Sequence, residues 1–150
     1  FLRAGYLWER VRVQGGAYGA GVAYSHVSGN LSFSSYRDPN TTRTVEAFQA
    51  VAPYLASLDL DTAELHKSII GTIGDMDHYM LPDAKGFTAL ARQLTGEGEE
   101  YRQRVREAVL SATAQDFRVF GQGVEAAAKN GRVADGPAGA NLRGLRPARE

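Results

Sequence analysis

Cysteine is absent from the chain. That excludes disulfides and thiolate metal sites, and it fits a reducing compartment. An excess charge of either sign is also missing, since 17 Lys and Arg stand against 17 Asp and Glu. Composition therefore gives no case for nucleic acid or an anionic membrane as a partner. No apolar run approaches the ~18 residues of a membrane span. An initiator methionine is lacking too: the chain opens at Phe1, which reads as part of a longer polypeptide whose targeting peptide would not be visible. No internal repeat is found. What is present, 150 residues, suffices for one domain with its own core.

The most distinctive stretch runs from Arg10 to Gly21. It holds four glycines in seven residues, Gly15 to Gly21, with Arg12 before them and Tyr18 among them. Glycine lets backbone approach a ligand and reach conformations closed to other residues. The alternating run Val22 to Tyr24 follows, so the glycines lead into a strand. Such an entry, with Arg12 six positions before Tyr18, suits gripping an extended peptide by its carbonyl oxygens. The plainer reading is a turn that needs glycine, with Arg12 solvated and Tyr18 half-buried.

Hydrophobic periodicity outlines the remainder. Leu7, Trp8 and Val11 suit the end of an amphipathic helix, with Trp8 as a core anchor. Tyr18 to Tyr24 and Leu31 to Arg37 read as antiparallel strands of a hairpin across the turn-forming Ser25 to Asn30, Leu31 and Phe33 sharing a face. Asp38-Pro39 reads as a helix start with Asp38 as N-cap, followed by an apolar stripe of Val45, Phe48, Ala52 and Leu55 that Pro53 kinks or ends late. Asp61 to Glu64 resembles a capping box, ahead of Leu65, Ile69, Ile73 and Met76 on one face. Gly71 and Gly74 inside that helix suggest close packing against a neighbour. Leu81-Pro82-Asp83 opens a further helix with Phe87, Leu90, Ala91 and Leu94 inward and Gly96 as C-cap. Glu99 to Leu110 carries Tyr101, Val105 and Val109 on its inner stripe. A last helix starts at Thr113, with Phe117, Phe120 and Val124 inward. The expected fold class is α/β (α+β): an antiparallel hairpin packed with about five helices. Residues 1–129 form the domain. Residues 130–150 have no aromatic side chain and are rich in Gly, Ala, Pro and Arg, and read as a disordered tail.

Four blocks then carry a family resemblance: Leu7 to Gly19, Ser34 to Asn40, Ile69 to Asp75, and Leu81 to Gly86. In this order they resemble the presequence-protease branch of the pitrilysin/insulinase zinc metallopeptidases, over about Leu2 to Glu125. The resemblance implies a partial copy of a pitrilysin-type domain, the last of four in a large enzyme whose first domain carries Zn2+. It implies that an arginine and a tyrosine of the last domain reach across a closed chamber to the substrate, and the matching positions are Arg12 and Tyr18. Tyr18 is then the catalytic candidate, a phenol donating to the oxygen on which negative charge develops. Arg12, Tyr18, Gly15 and Gly16 are the substrate-binding candidates, Arg12 because its guanidinium offers fixed donors, the glycines chiefly by shaping the loop. The implied partners are an unstructured peptide and the remaining domains of the same polypeptide, with no nucleic acid and no membrane. The implied location is the bacterial cytoplasm, or alternatively the mitochondrial matrix.

Other chemistry is poorly represented. The family's inverted H-x-x-E-H motif is absent, so no metal ligand is expected in this chain. His26, His66 and His78 each lack a histidine at ligand spacing, and Asp75, Asp77 and His78 read as polar helix-end residues. No Gly-Lys-Ser/Thr follows the glycines, and their spacing does not match a dinucleotide fingerprint. Ser34 and Ser35 have no identifiable His/Asp partner. Asp38, Asp83 and Lys85 read as caps and packing signals. Two rival readings stay open: a non-catalytic peptide-binding or structural homologue, and an unrelated small-ligand module built on the glycine loop.

Overall fold

The computed structural model describes residues 1–133, so most of the expected tail, 130–150, lies outside the described residues. Trp8–Val13 is a π-helix rather than the end of an α-helix. Its hydrogen bonds step back five residues, as from the Gln14 N–H to the Glu9 carbonyl at 2.9 Å. Leu7 and Val11 are fully buried, four positions apart on the inner side. Trp8, one position along and turned away from them, is 47% exposed and does not anchor the core as expected.

The hairpin forms as the alternation demands. Strand β1 (Gly19–Ser25) pairs antiparallel with β2 (Asn30–Tyr36), Val22 opposite Phe33 and Gly19 opposite Tyr36. Ala20, Val22 and Phe33 face the core, and Phe33 stacks on Phe48 with ring centroids 5.4 Å apart. Gly29, at φ 72°, closes the turn in the left-handed region that glycine enters without strain.

Helix α1 (Thr41–Gln49) starts later than expected, with Asn40 and not Asp38 at its N-cap position. The Asp38 carboxylate accepts from the Asn40 N–H at 2.9 Å instead, forming a turn ahead of the helix. Helix α2 (Val51–Ala56) follows after a break at Ala50. Pro53 explains it: proline has no N–H to give and its ring crowds the carbonyl four residues back, which here is Gln49. The interruption therefore precedes Pro53, and one expected helix becomes two. Helix α3 (Thr62–Met76) has Asp61 at its N-cap position with no side-chain cap bond, so the expected box does not form. Helices α4 (Pro82–Thr95), α5 (Glu99–Leu110) and α6 (Ala114–Ala128) complete the order. Gly96 ends α4 at φ 74°, and the Glu97 N–H returns to the Arg92 carbonyl at 2.8 Å. The capping box is at α6, where the Thr113 N–H donates to Asp116 at 2.7 Å.

The fold is mixed α/β, a hairpin with six α-helices among the described residues. Its core gathers Tyr6, Leu7, Val11, Ala17, Val51, Leu55, Leu58 and Leu60. Each large aliphatic side chain buried there contributes roughly 1.5–3 kcal/mol. Tyr6 donates its hydroxyl to the Ala47 carbonyl at 3.0 Å, and burial raises its phenol pKa. Helix α6 lies against α2, where a side chain at Gly121 would fall 2.8 Å from the Ala56 nitrogen. Gly121, not Gly71 or Gly74, marks close helix packing: a Cβ at those two positions meets nothing within 4 Å. Phe117 packs on the core beside Phe1, whereas Phe120 is 45% exposed, off the face expected for it.

Helices α3 to α5 form an arm. Leu65, Ile69, Ile73 and Met76 are half-buried as the stripe predicts, but Phe87, Leu90 and Leu94 of α4 face outward. An Arg106–Asp77 ion pair ties α5 to the end of α3. His26 at the hairpin tip lies 3.0 Å from Glu97.

Candidate functional site

The glycine loop hangs between the π-helix and β1, and its shape is set by contacts on both sides. Gly15 is buried, and a Cβ there would fall onto the Val11 carbonyl oxygen, well inside van der Waals contact. Gly16 has φ 80°. These positions require glycine for different reasons, close approach for one and left-handed backbone for the other. The Gly16 N–H returns to the Arg12 carbonyl at 2.9 Å, and the Ala17 N–H to the Val11 carbonyl at 3.1 Å. From the opposite side Asn40 Nδ2 donates to the Gly15 carbonyl at 2.8 Å, and Arg43 donates to the Gln14 carbonyl at 3.2 Å. Both glycines therefore constrain the path of the loop backbone.

Asp38 holds the outer side of this arrangement. Burial opposes its ionisation, but the neighbouring Thr44 hydroxyl, the Asn40 N–H and the neighbouring Ser35 hydroxyl favour the charged form and keep the carboxyl below its usual range. Of the three, only the Asn40 contact, at 2.9 Å, has full hydrogen-bond geometry. Asp38 Oδ2 and Thr44 Oγ1 are buried with no such bond, so the carboxylate's hold on the turn rests on Oδ1.

Arg12 and Tyr18 flank the loop. The Arg12 guanidinium lies over the Trp8 indole, 4.0 Å from the ring centroid. Trp8 is therefore the platform for Arg12, which is neither free in solvent nor buried. The Tyr18 N–H is shared between the Tyr36 carbonyl at 3.1 Å and the Arg37 carbonyl at 3.3 Å. Tyr18 is 65% exposed, not half-buried, and its ring meets Tyr36 edge to face at 6.0 Å. Arg12 and Tyr18 make no hydrogen bond or ring contact with each other among the described residues.

A family profile described as PreP C-terminal domain matches residues 1–134. The chain belongs to the PreP C-terminal domain family. It is similar to presequence protease 1, chloroplastic/mitochondrial, of Arabidopsis thaliana, 48% identical over 120 residues, which cover 80% of the chain and 11% of that protein. It is also similar to the protein HypA of Clostridium perfringens, 36% identical over 77% of the chain and 12% of the relative. A mitochondrial presequence protease of Emericella nidulans is 33% identical over 81% of the chain and 11% of its own length. The chain thus spans about a ninth of the length of the curated relatives it matches. The resemblance carried by the four sequence blocks is confirmed.

In this PreP C-terminal domain the described residues do not fit a zinc site. Among the described residues no group of three or more His, Cys, Asp or Glu is placed to hold a metal ion. Asp77 is paired with Arg106, and His78 Nδ1 lies 2.7 Å from the Asp75 carbonyl. No described helix is long and apolar enough to cross a membrane. Sequence reasoning missed Asn40 as the tie that holds the loop, and it missed Tyr36 and Arg37 as the immediate surroundings of Tyr18. A signal for the last two existed. Counting outward from the hairpin turn, the register that sets Ser25 opposite Asn30 brings Arg37 level with Tyr18.

Proposed function

We propose that this PreP C-terminal domain supplies the substrate-side surface of a zinc metalloendopeptidase that degrades unstructured peptides in an enclosed chamber. Attack on a peptide carbonyl builds negative charge on its oxygen, and a preorganised donor there is worth more in the transition state than in the ground state. Tyr18 is that donor. The observation carrying this reading is an exposed tyrosine on a clamped backbone: Tyr18 is 65% exposed, while its N–H is held by the end of β2. Such a group meets a partner without reorganising its own chain. Arg12 anchors peptide carbonyl oxygens with the edges of a guanidinium whose face is fixed on Trp8. Gly15, buried and with its carbonyl occupied, serves substrate binding through loop shape, and Gly16 is the exposed glycine of the pair.

Zn2+ in this reading belongs to another part of the polypeptide, as the family resemblance implies; among the described residues no group of three or more His, Cys, Asp or Glu is placed to hold it. The partners are an unstructured peptide and the remaining domains, and the outward apolar face of α4 supports the second. The location proposed is the bacterial cytoplasm, with the mitochondrial matrix as the alternative; relatives named mitochondrial support a mitochondrial location, and the Clostridium relative is a bacterial protein.

The test is steady-state cleavage of an unstructured peptide by the full-length protein containing this domain. Tyr18→Phe should lower kcat with little change in KM, by about 100–1000-fold if it removes the about 2.7–4 kcal/mol typical of one such donor. Arg12→Ala should act in substantial part through a raised KM. Wild-type turnover in a folded Tyr18→Phe protein would rule out the role of the phenol.

A further inference from the structure

Among the described residues Arg37 alone outside glycine takes a positive φ, 47°. A long side chain in the left-handed region is strained, and such a conformation persists only where its surroundings over-determine it. Here they do. The Arg37 carbonyl accepts from the Tyr18 N–H at 3.3 Å, and the next residue, Asp38, closes its turn on the Asn40 N–H. The Arg37 guanidinium lies over two aromatic rings, 5.8 Å from the Tyr18 centroid and 5.3 Å from that of Tyr36. Arg12, the cation expected to work with Tyr18, is engaged with Trp8.

An exposed tyrosine ordinarily samples several rotamers on a fast timescale. Tyr18 is exposed, yet its ring has the Tyr36 ring on one contact and the Arg37 guanidinium on another. We propose that Arg37 is a positioning residue for Tyr18, fixing the phenol through its guanidinium and the strand-end backbone through its carbonyl. This rests on the reading of Tyr18 as the donor to the developing oxyanion. Arg37 acts before the reaction by narrowing the phenol's positions, and a donor displaced by a fraction of an ångström to one ångström loses much of its effect. Arg37 itself need not touch the substrate.

The experiment is a double-mutant cycle in the full-length protein, with an unstructured fluorogenic peptide as probe. Arg37→Asn removes the cation while keeping a residue that tolerates left-handed backbone. It should lower kcat about 2–5-fold, the effect of an exposed cation–π contact, and leave KM unchanged. Arg37→Lys, which keeps the cation, should recover most of the rate. In a Tyr18→Phe background Arg37→Asn should have no further effect, because the hydroxyl it positions is gone. If Tyr18→Phe is impaired but Arg37→Asn turns over like wild type, the proposal for Arg37 fails while the reading of Tyr18 stands. An equal loss from Arg37→Asn in both backgrounds overturns it as well, since Arg37 would then act independently of the phenol. Wild-type kcat in Tyr18→Phe removes both. Should circular dichroism show Arg37→Asn to be misfolded, Arg37→Gly, which relieves the backbone strain, carries the same expectations.

Discussion

Single positions in this domain carry opposite demands, and Gly15 is the most constrained. Alanine there brings a Cβ against the Val11 carbonyl oxygen, a backbone atom of the π-helix that has no flexible end to move aside. We predict that Gly15→Ala destabilises by about 1–3 kcal/mol, as overpacking does. A shift in urea midpoint measures it, and an unchanged midpoint would mean that the loop relaxes freely. Asp38 gives the pH dependence. Its folded pKa is lowered, so its stabilising contribution is complete above the unfolded value of about 4 and is lost as pH falls through the lower folded value. Urea midpoints from pH 7 down to pH 3 should fall less steeply for Asp38→Asn than for wild type. Parallel curves would show that Asp38 is not coupled to folding. The residue types of the candidate site were legible from sequence, because Arg12, Gly15, Gly16 and Tyr18 lie in one contiguous block. The backbone strain at Arg37 was not, because nothing local to Tyr36-Arg37-Asp38 announces a positive φ.

At the scale of elements, the hairpin and the helix order were readable because alternation and capping residues act locally. Leu31 and Phe33 point to one face of a strand whatever packs on it, and Gly96 ends a helix wherever that helix lies. What could not be read was which apolar face finds a partner. Phe87 and Leu94 carry the same pattern as Leu55 and Phe117, yet one pair is outward and the other packed. The glycines show the same limit. Within α3, Gly71 has open space around an added Cβ, so Gly71→Ala should stabilise by about 0.5–1 kcal/mol through helix propensity alone. Within α6, Gly121→Ala gains the same propensity but places its methyl 2.8 Å from both the Ala56 nitrogen and the Leu55 Cβ. There the clash wins, and we predict a net loss. Thermal melts of the two variants should move in opposite directions, and a shared direction would contradict the α2–α6 contact.

On the scale of the whole molecule, the body made by the first 60 residues is completed by α6, and the arm of α3 to α5 lies between the two in sequence. Arg118 Nε reaches the Leu58 carbonyl at 3.0 Å across a separation of 60 residues. That contact has a kinetic meaning. The hairpin closes over a short turn and can form early, whereas α6 can dock only after a long loop has been closed. Its docking should therefore be the late step of refolding. Replacing residues 66–111 with a flexible linker of about ten residues shortens the Leu58-to-Arg118 separation to about 24, which lowers the closure cost by about 0.8 kcal/mol. In stopped-flow refolding the last phase should then run roughly fourfold faster. An unchanged rate would place the barrier in the hairpin, and the arm would be a passenger in folding, free to drift in length without slowing the assembly of the surface that presents Tyr18.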